Sequence, residues 1–201
     1  ACPKGRLEGK VVKYLSDRGV IIEQPFFNES VRKLTFDTNF KEIKVIKLKP
    51  SDIRSYIILG AADIGFVGYD DILENSSQNI VLLKKTNIGK CRISIASDKK
   101  EINFSEKKIF KVATKFQNIS ENYFRDLNIQ TETIKLNGSI ELAVKYQIAD
   151  FILDLVQSGK TLKDNQLYEN VIINNDISTV IISSYFAVSY THLTLPTNAC
   201  V

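Results

Sequence analysis

Hydrophobic and polar positions along this chain follow two periods, and the switches between them mark out its elements. Leu7, Val11 and Leu15 recur at i, i+4 and i+8 with Tyr14 beside them, which predicts a helix over 5–18 that Gly19 stops. Strands are predicted over 32–36 and 42–48; the second sets Ile43, Val45 and Lys47 against Lys44 and Ile46 and is only partly regular. Pro50-Ser51-Asp52 opens a short helix to Leu59, with Ser51 or Asp52 as N-cap, and Gly60 ends it. A short apolar strand over 62–67 leads into Gly68-Tyr69-Asp70-Asp71 and another helical turn, and further strands are predicted over 80–83 and 92–96.

A second series follows. It comprises a strand over 109–114, a helix capped by Ser120 and running through Leu127, and a strand over 131–136. Asn137-Gly138-Ser139 then turns into a helix to about Tyr146. The stretch 149–156 is almost unbroken apolar, as expected of a strand covered on both faces in a parallel sheet. Late strands are predicted over 171–173 and 178–183. Strand and helix alternate throughout, which makes the class α/β. The strands fall into two groups, before and after about residues 84–90, and two αβ lobes joined by crossing strands would place a ligand cleft between them.

Composition narrows the function classes. Hydrophobic residues make up 44% and charged residues 25% of 201, an ordinary globular balance. No apolar run approaches the roughly 20 residues of a membrane span. The net charge of +4 is mild, and aromatics are not interleaved with the basic residues as a nucleic-acid stacking platform requires. Small phosphorylated ligands suit such a chain equally well. Cys2, Cys91 and Cys200 are too widely spaced for a disulfide framework or a zinc site, and His192, the only histidine, would have to carry any triad alone. Methionine is absent, so the start is expected to be trimmed, and Ala1-Cys2-Pro3 reads as the end of a strand. Residues 185–201 contain no Asp, Glu, Lys or Arg; they read either as a buried terminal strand or, the favoured reading, as a non-native tail.

Candidate chemistry clusters after the apolar strand. Ser158-Gly159-Lys160-Thr161 suggests a P-loop, but that motif needs a glycine five residues before Gly159, where Asp154 stands. What remains is a carboxylate near the end of a strand, able to accept hydrogen bonds from a sugar diol, followed by a small loop able to wrap a phosphate. A plain β-turn is the alternative. Lys4-Gly5-Arg6 is read as opening the first helix, where basic residues oppose the dipole unless an anion binds. Gly65-x-x-Gly68-x-Asp70 is a weak dinucleotide signal and reads better as a tight turn. Glu141 sits in the first turn of a helix, as ligand or as dipole compensation.

Taken together these stretches resemble the ATP phosphoribosyltransferase family. The matching segments are Pro3-Lys4-Gly5-Arg6-Leu7, the run from Asp52 through Ala61-Ala62-Asp63-Ile64-Gly65-Phe66-Val67-Gly68-Tyr69-Asp70, and Gly89-Lys90-Cys91-Arg92. They continue with Val112-Ala113-Thr114-Lys115-Phe116, Leu136-Asn137-Gly138-Ser139-Ile140-Glu141-Leu142-Ala143, and Ala149-Asp150 through Asp154-Leu155-Val156-Gln157-Ser158-Gly159-Lys160-Thr161-Leu162. The family usually has proline where Arg54, Gln117 and Val144 stand, glycine at Gln147 and Gln166, and an acidic residue near Lys85.

The resemblance implies a bilobal, type II periplasmic-binding-protein-like fold. Lobe one would span 3–88 plus 177–184 on the nucleotide side, and lobe two 89–176 with the phosphoribosyl-diphosphate loop. It also implies the short catalytic form, cytoplasmic and served by a regulatory subunit resembling histidyl-tRNA synthetase. The implied reaction joins adenine N1 of ATP to the anomeric carbon of phosphoribosyl diphosphate and releases pyrophosphate, with Mg²⁺ carried by the substrate phosphates and no metal held directly by protein. Arg6, Glu141 and Asp154 would be catalytic. Asp154 and Ser158, Gly159, Lys160, Thr161 and Leu162 would bind phosphoribosyl diphosphate. Lys4, Gly5, Arg6, Asp70, Cys91 and Arg92 would bind ATP. A non-catalytic small-ligand-binding module of the same fold is the alternative.

Overall fold

The computed structural model describes residues 1–27, 32–76, 79–106 and 108–187; of Pro25 and Phe27 it describes the backbone alone. The elements in chain order are β1 (Cys2–Pro3), α1 (Glu8–Ser16), β2 (Thr35–Asp37), β3 (Lys44–Leu48), α2 (Pro50–Ile58), β4 (Ile64–Gly68) and α3 (Tyr69–Glu74). They continue as β5 (Ile80–Lys85), β6 (Cys91–Ser97), β7 (Phe110–Thr114), α4 (Gln117–Asp126), β8 (Thr131–Lys135) and α5 (Glu141–Lys145). Last come β9 (Phe151–Val156), α6 (Lys160–Asp164), β10 (Tyr168–Ile177) and β11 (Thr179–Ser184). Most of His192's segment, with Cys200, lies outside the described residues, so the reading of a non-native tail from 188 onward does too. Among the described residues no helix is long and apolar enough to cross a membrane.

The chain divides into two compact units. The first comprises Ala1–Tyr69, Ser77–Gly89 and Ser178–Val201, the second Asp70–Ser76 and Lys90–Ile177. The segment Asp70–Ser76 therefore belongs with the second unit, although a division by strand grouping puts it with the first. In the first unit β1 runs parallel to β3 and β2 antiparallel to it, while β11 pairs antiparallel with β4 and β5. Val11 of α1 packs with Phe26, Phe36, Val45 and Phe66 in one core. Ile53 and Ile57, fully buried on α2, lie against Gly65 of β4.

The second unit is built on a five-stranded sheet of order β10-β6-β9-β7-β8. The sheet is mixed: β9 runs parallel to β7 but antiparallel to β6, so the apolar run of β9 is central without being in an all-parallel sheet. Ala143 and Val144 of α5 and Leu162 and Leu167 around α6 pack with Ile152 and Val156 of β9. Phe110, Phe124 and Phe151 are buried and, with Phe104, form a second aromatic cluster, ring centroids 5.1–6.4 Å apart.

Helix boundaries show which local signals prevailed. α2 has Pro50 at its first turn and Lys49, not Ser51 or Asp52, at the N-cap; the Ser51 hydroxyl donates to Asp52 instead. Ser120 is inside α4, its N–H already bonded to the Phe116 carbonyl, so it caps nothing. The free N–H groups of Asn118 and Ile119 are met by the Glu74 carboxylate at 3.0 Å each. A helix N-terminus needs such an acceptor, and here it comes from another element.

Several helices end alike. After α4, the N–H of Asn128 donates to the Arg125 carbonyl and that of Ile129 to Phe124. After α5, Gln147 donates to Val144 and Ile148 to Ala143; after α6, Gln166 donates to Lys163 and Leu167 to Leu162. This is the Schellman arrangement, whose turning residue adopts the left-handed conformation that favours glycine. Asn128 (φ 55°), Gln147 (φ 56°) and Gln166 (φ 59°) hold it here. Asparagine tolerates that region and glutamine gains nothing there, so Gln147→Gly and Gln166→Gly should each stabilise the fold by about 1 kcal/mol. In thermal denaturation each should raise Tm by about 2–4 °C. A lowered Tm would mean that the glutamine side chains make contacts worth more than the backbone strain.

Candidate active site

β6 and β9 pair so that Arg92 lies opposite Val156 and Ser94 opposite Asp154. Directly paired residues share a face, and alternate residues of a strand do so too, so Arg92, Ser94, Asp154 and Val156 project to one side. Glu169 comes to that side from β10. Its carboxylate accepts both Nε and Nη2 of Arg92 and the Ser94 hydroxyl, the last at 2.6 Å. The Arg92 hydrogen bond is the main reason Glu169 is held below the usual glutamate value, and Glu169 in turn holds the Arg92 guanidinium above its own.

β9 ends at Val156 and the chain turns through Gln157-Ser158-Gly159. Nη1 of Arg92 donates to the Gln157 carbonyl at 3.1 Å. Gly159 is left-handed (φ 74°), and a Cβ there would lie 3.9 Å from Nη2 of Arg92. The Lys160 N–H points back to the Ser158 hydroxyl at 3.3 Å. Lys160 and Thr161 are exposed, whereas Leu162 is 7% exposed and packs in the core. Leu162 therefore anchors the loop, and its side chain is not available to a ligand.

Asp154 is partly buried, and burial is the first cause pushing its carboxyl above the ordinary aspartate value. A hydrogen bond from the Leu155 backbone and the charge of Lys115 oppose that shift; Glu141 and Asp70 reinforce it. Asp154 thus feels both carboxylates, with Lys115 as the opposing cation. Asp70 is at the start of α3, and the last residue of that helix, Glu74, is tied to α4 through Asn118 and Ile119, with Nδ2 of Asn118 also donating to the Glu74 carbonyl at 2.9 Å. No set of three His, Cys, Asp or Glu among the described residues could hold a metal ion. Asp154, Glu141 and Asp70 are hard oxygen donors, the kind that could meet a hydrated divalent ion through its waters.

Other sequence candidates fall elsewhere. Lys4, Gly5 and Arg6 are exposed in the first unit, in the turn before α1 rather than in the helix, which starts at Glu8. Gly5 is left-handed (φ 90°), and its N–H donates to the Glu8 carboxylate at 3.3 Å, so the chain supplies an anion of its own there. Gly65 belongs to β4 and serves packing against α2, not a dinucleotide turn. Cys91 begins β6, half-buried beside Arg92. Burial pushes the Cys2 thiol up to about 12, which removes it as a nucleophile. Asp150 joins β7 to β9, its carboxylate accepting the Lys111 N–H at 2.8 Å. A cavity of about 360 Å³ lined by Ser97, Asp98, Lys99 and Phe110 lies at the other end of the sheet from the Gly159 loop. Glu169, Ser94 and Glu74 escaped the sequence reading, because no local spacing ties any of them to the loop; Lys115 stands in a family-matching stretch but carries no assigned role there.

A model of the HisG family, described as ATP phosphoribosyltransferase, matches residues 49–193. The chain belongs to that family. An ATP phosphoribosyltransferase of Brachyspira hyodysenteriae is 42% identical over 167 residues, covering 83% of this chain and 79% of that protein. Its counterpart from Oceanobacillus iheyensis is 38% identical over 180 residues, covering 90% and 83%. Among solved structures, the ATP phosphoribosyl transferase (HisG:HisZ) complex from Thermotoga maritima superposes with TM-score 0.78 at 30% identity, over 96% of this chain and 90% of that one. A probable amino-acid ABC transporter extracellular-binding protein from Bacillus subtilis shares the fold at TM-score 0.50 and 9% identity, over 74% and 68%. That second likeness speaks to fold alone and gives the binding-module reading no support. The chain is a phosphoribosyltransferase by family, of the group that performs the first step of histidine biosynthesis.

Proposed function

We propose that this chain joins adenine N1 of ATP to the anomeric carbon of phosphoribosyl diphosphate, releasing pyrophosphate, with the second unit holding the phosphoribosyl group. The observation that carries this is the adjacency of Asp154, paired opposite Ser94, to the Ser158-Gly159-Lys160-Thr161 loop. The loop's small side chains and N–H groups would wrap a 5′-phosphate, while Asp154 and Glu141 would meet the ribose diol. As the leaving group departs, positive charge grows on the ribose ring. Two carboxylates in a partly desolvated setting stabilise it more than water would, without reorganising at that moment. Asp70 and Cys91, at the start of β6, would flank the nucleotide. Mg²⁺ bound to the departing diphosphate would neutralise its charge, with Asp154 and Glu141 reaching it through water. A regulatory subunit resembling histidyl-tRNA synthetase is the proposed partner; the Thermotoga maritima relative was solved in a HisG:HisZ complex.

The test is product formation from ATP and phosphoribosyl diphosphate, with and without such a subunit, on wild type and Thr161→Ala. The Thr161 hydroxyl is exposed in the loop, so its removal deletes a bond to the charged phosphate and should cost about 1.5–3 kcal/mol of ligand interaction. The KM for phosphoribosyl diphosphate should rise accordingly, with the KM for ATP unchanged. Wild-type KM for both substrates would contradict the assignment of the loop.

A further inference from the structure

The Gly159 loop is the first part of a longer excursion. The chain leaves the sheet at Gln157, passes through the loop and α6, and re-enters it on β10, where Glu169 stands two residues beyond Leu167. One guanidinium touches both ends. Arg92 on β6 donates through Nη1 to the Gln157 carbonyl, where the excursion begins, and through Nε and Nη2 to the Glu169 carboxylate, where it ends. Ser94 donates to the same carboxylate at 2.6 Å. Between the ends, Leu162 and Leu167 are buried and pin α6 to the core. Ahead of Leu162 the loop has no buried side chain of its own: Ser158, Lys160 and Thr161 are exposed.

From this we infer that Glu169 is a positioning residue for the phosphoribosyl-diphosphate loop, acting through Arg92 as a clasp that closes the excursion from Gln157 to Glu169. The inference rests on the reading of that loop as the phosphate site. It also changes the part given to Arg92, whose donors are directed at the loop and at Glu169.

The clasp acts by preorganisation. A planar fork bonded to both carboxylate oxygens fixes direction as well as distance. With Glu169 in place, the Arg92 guanidinium is committed to the plane from which Nη1 meets the Gln157 carbonyl. Without that charge, Arg92 regains its rotamers, the carbonyl loses a fixed donor, and the residues after it sample other turns. Substrate must then select the competent turn from a mixture, and apparent affinity falls by the fraction populated. If Glu169→Gln leaves the loop competent about a tenth of the time, the KM for phosphoribosyl diphosphate rises about tenfold. The Glu169 carboxylate is taken up by Arg92 and Ser94, and its effect on the reaction runs through the loop alone, so the KM for ATP and kcat should stay within about twofold.

The experiment is steady-state kinetics on the full chain with its regulatory subunit, comparing wild type, Glu169→Gln and Thr161→Ala, with amide hydrogen exchange over residues 157–163. The expected result is a KM increase confined to phosphoribosyl diphosphate, together with faster exchange in the loop. A role in stability alone would lower Tm and the active fraction and leave both KM values unchanged, and that result overturns the inference. Should Thr161→Ala raise the KM while Glu169→Gln does not, the clasp is wrong and the loop assignment stands. Should neither variant move it, the loop assignment has failed and the inference falls with it. If Glu169→Gln gives no folded protein, Ser94→Ala takes its place; it removes one bond from the same carboxylate and should raise the same KM about twofold, and an unchanged KM overturns the proposal.

Discussion

Asp154→Asn is expected to lower turnover by about 10²–10³-fold while making the free protein more stable at neutral pH. The two effects share one cause. Burial and the neighbouring charges of Glu141 and Asp70 raise the Asp154 carboxyl above its ordinary value, against the pull of Lys115 and the Leu155 backbone hydrogen bond. A carboxyl whose folded value is raised binds its proton more tightly in the folded state than in the unfolded chain. Stability linked to it is therefore fully present below the unfolded value of 3.8 and is lost as pH rises through the raised folded value. At neutral pH the fold carries the whole penalty. Asparagine removes it, keeps the shape, and removes the charge that should steady the developing cation. Melting curves should show Tm of Asp154→Asn above wild type at pH 7, converging with it below the unfolded aspartate value. Asp150→Asn should do the opposite, costing about 1 kcal/mol of stability through the Lys111 N–H and sparing turnover. A destabilised Asp154→Asn at neutral pH, or one with wild-type kcat, would show that the carboxylate is structural.

The parts of this site visible in the sequence are those that local pattern encodes. The run of β9 is apolar because both faces of a central strand are covered, and it stops where Ser158-Gly159 must turn, so strand, carboxylate and loop could be read from a dozen residues. Gln147 and Gln166 stand out against the family's glycines, and the backbone explains why: both residues are left-handed at helix ends. What could not be read was decided by pairing across the sheet. Glu169 meets Arg92 and Ser94 across 77 and 75 residues of chain. β10 is longer than its apolar core suggests, because Asn174, Asn175 and Asp176 continue a strand whose exposed positions accept polar residues. The start of α4 failed in the same way. Ser120 is a good cap by type, but Glu74, forty-four residues before Asn118, already supplies the acceptor. α1 begins later than its periodicity, since Gly5 takes a left-handed conformation that no helix admits.

Gly65→Ala is expected to destabilise the first unit by about 1–3 kcal/mol, a large cost for a single methyl. Strand geometry does not object, since Gly65 is not left-handed. The obstacle is α2. An added Cβ would lie 2.7 Å from Cγ2 of Ile53 and 3.0 Å from Cγ1 of Ile57. Both isoleucines are 0% exposed, and Cγ2 is a branch at Cβ rather than the free end of a flexible chain, so neither can swing aside. The helix must then move off β4, opening gaps along an interface that interiors do not tolerate. A double-mutant cycle isolates this cause. Ile53→Ala alone should cost about 2–5 kcal/mol by leaving a cavity, but in the Gly65→Ala background the new methyl occupies part of that space. The pair should therefore cost less than the sum of the two, by at least about 0.5 kcal/mol, because the sites are in contact. Chemical denaturation of the four proteins measures the coupling. Strict additivity would mean that α2 and β4 already have room between them and that Gly65 is not what lets them approach.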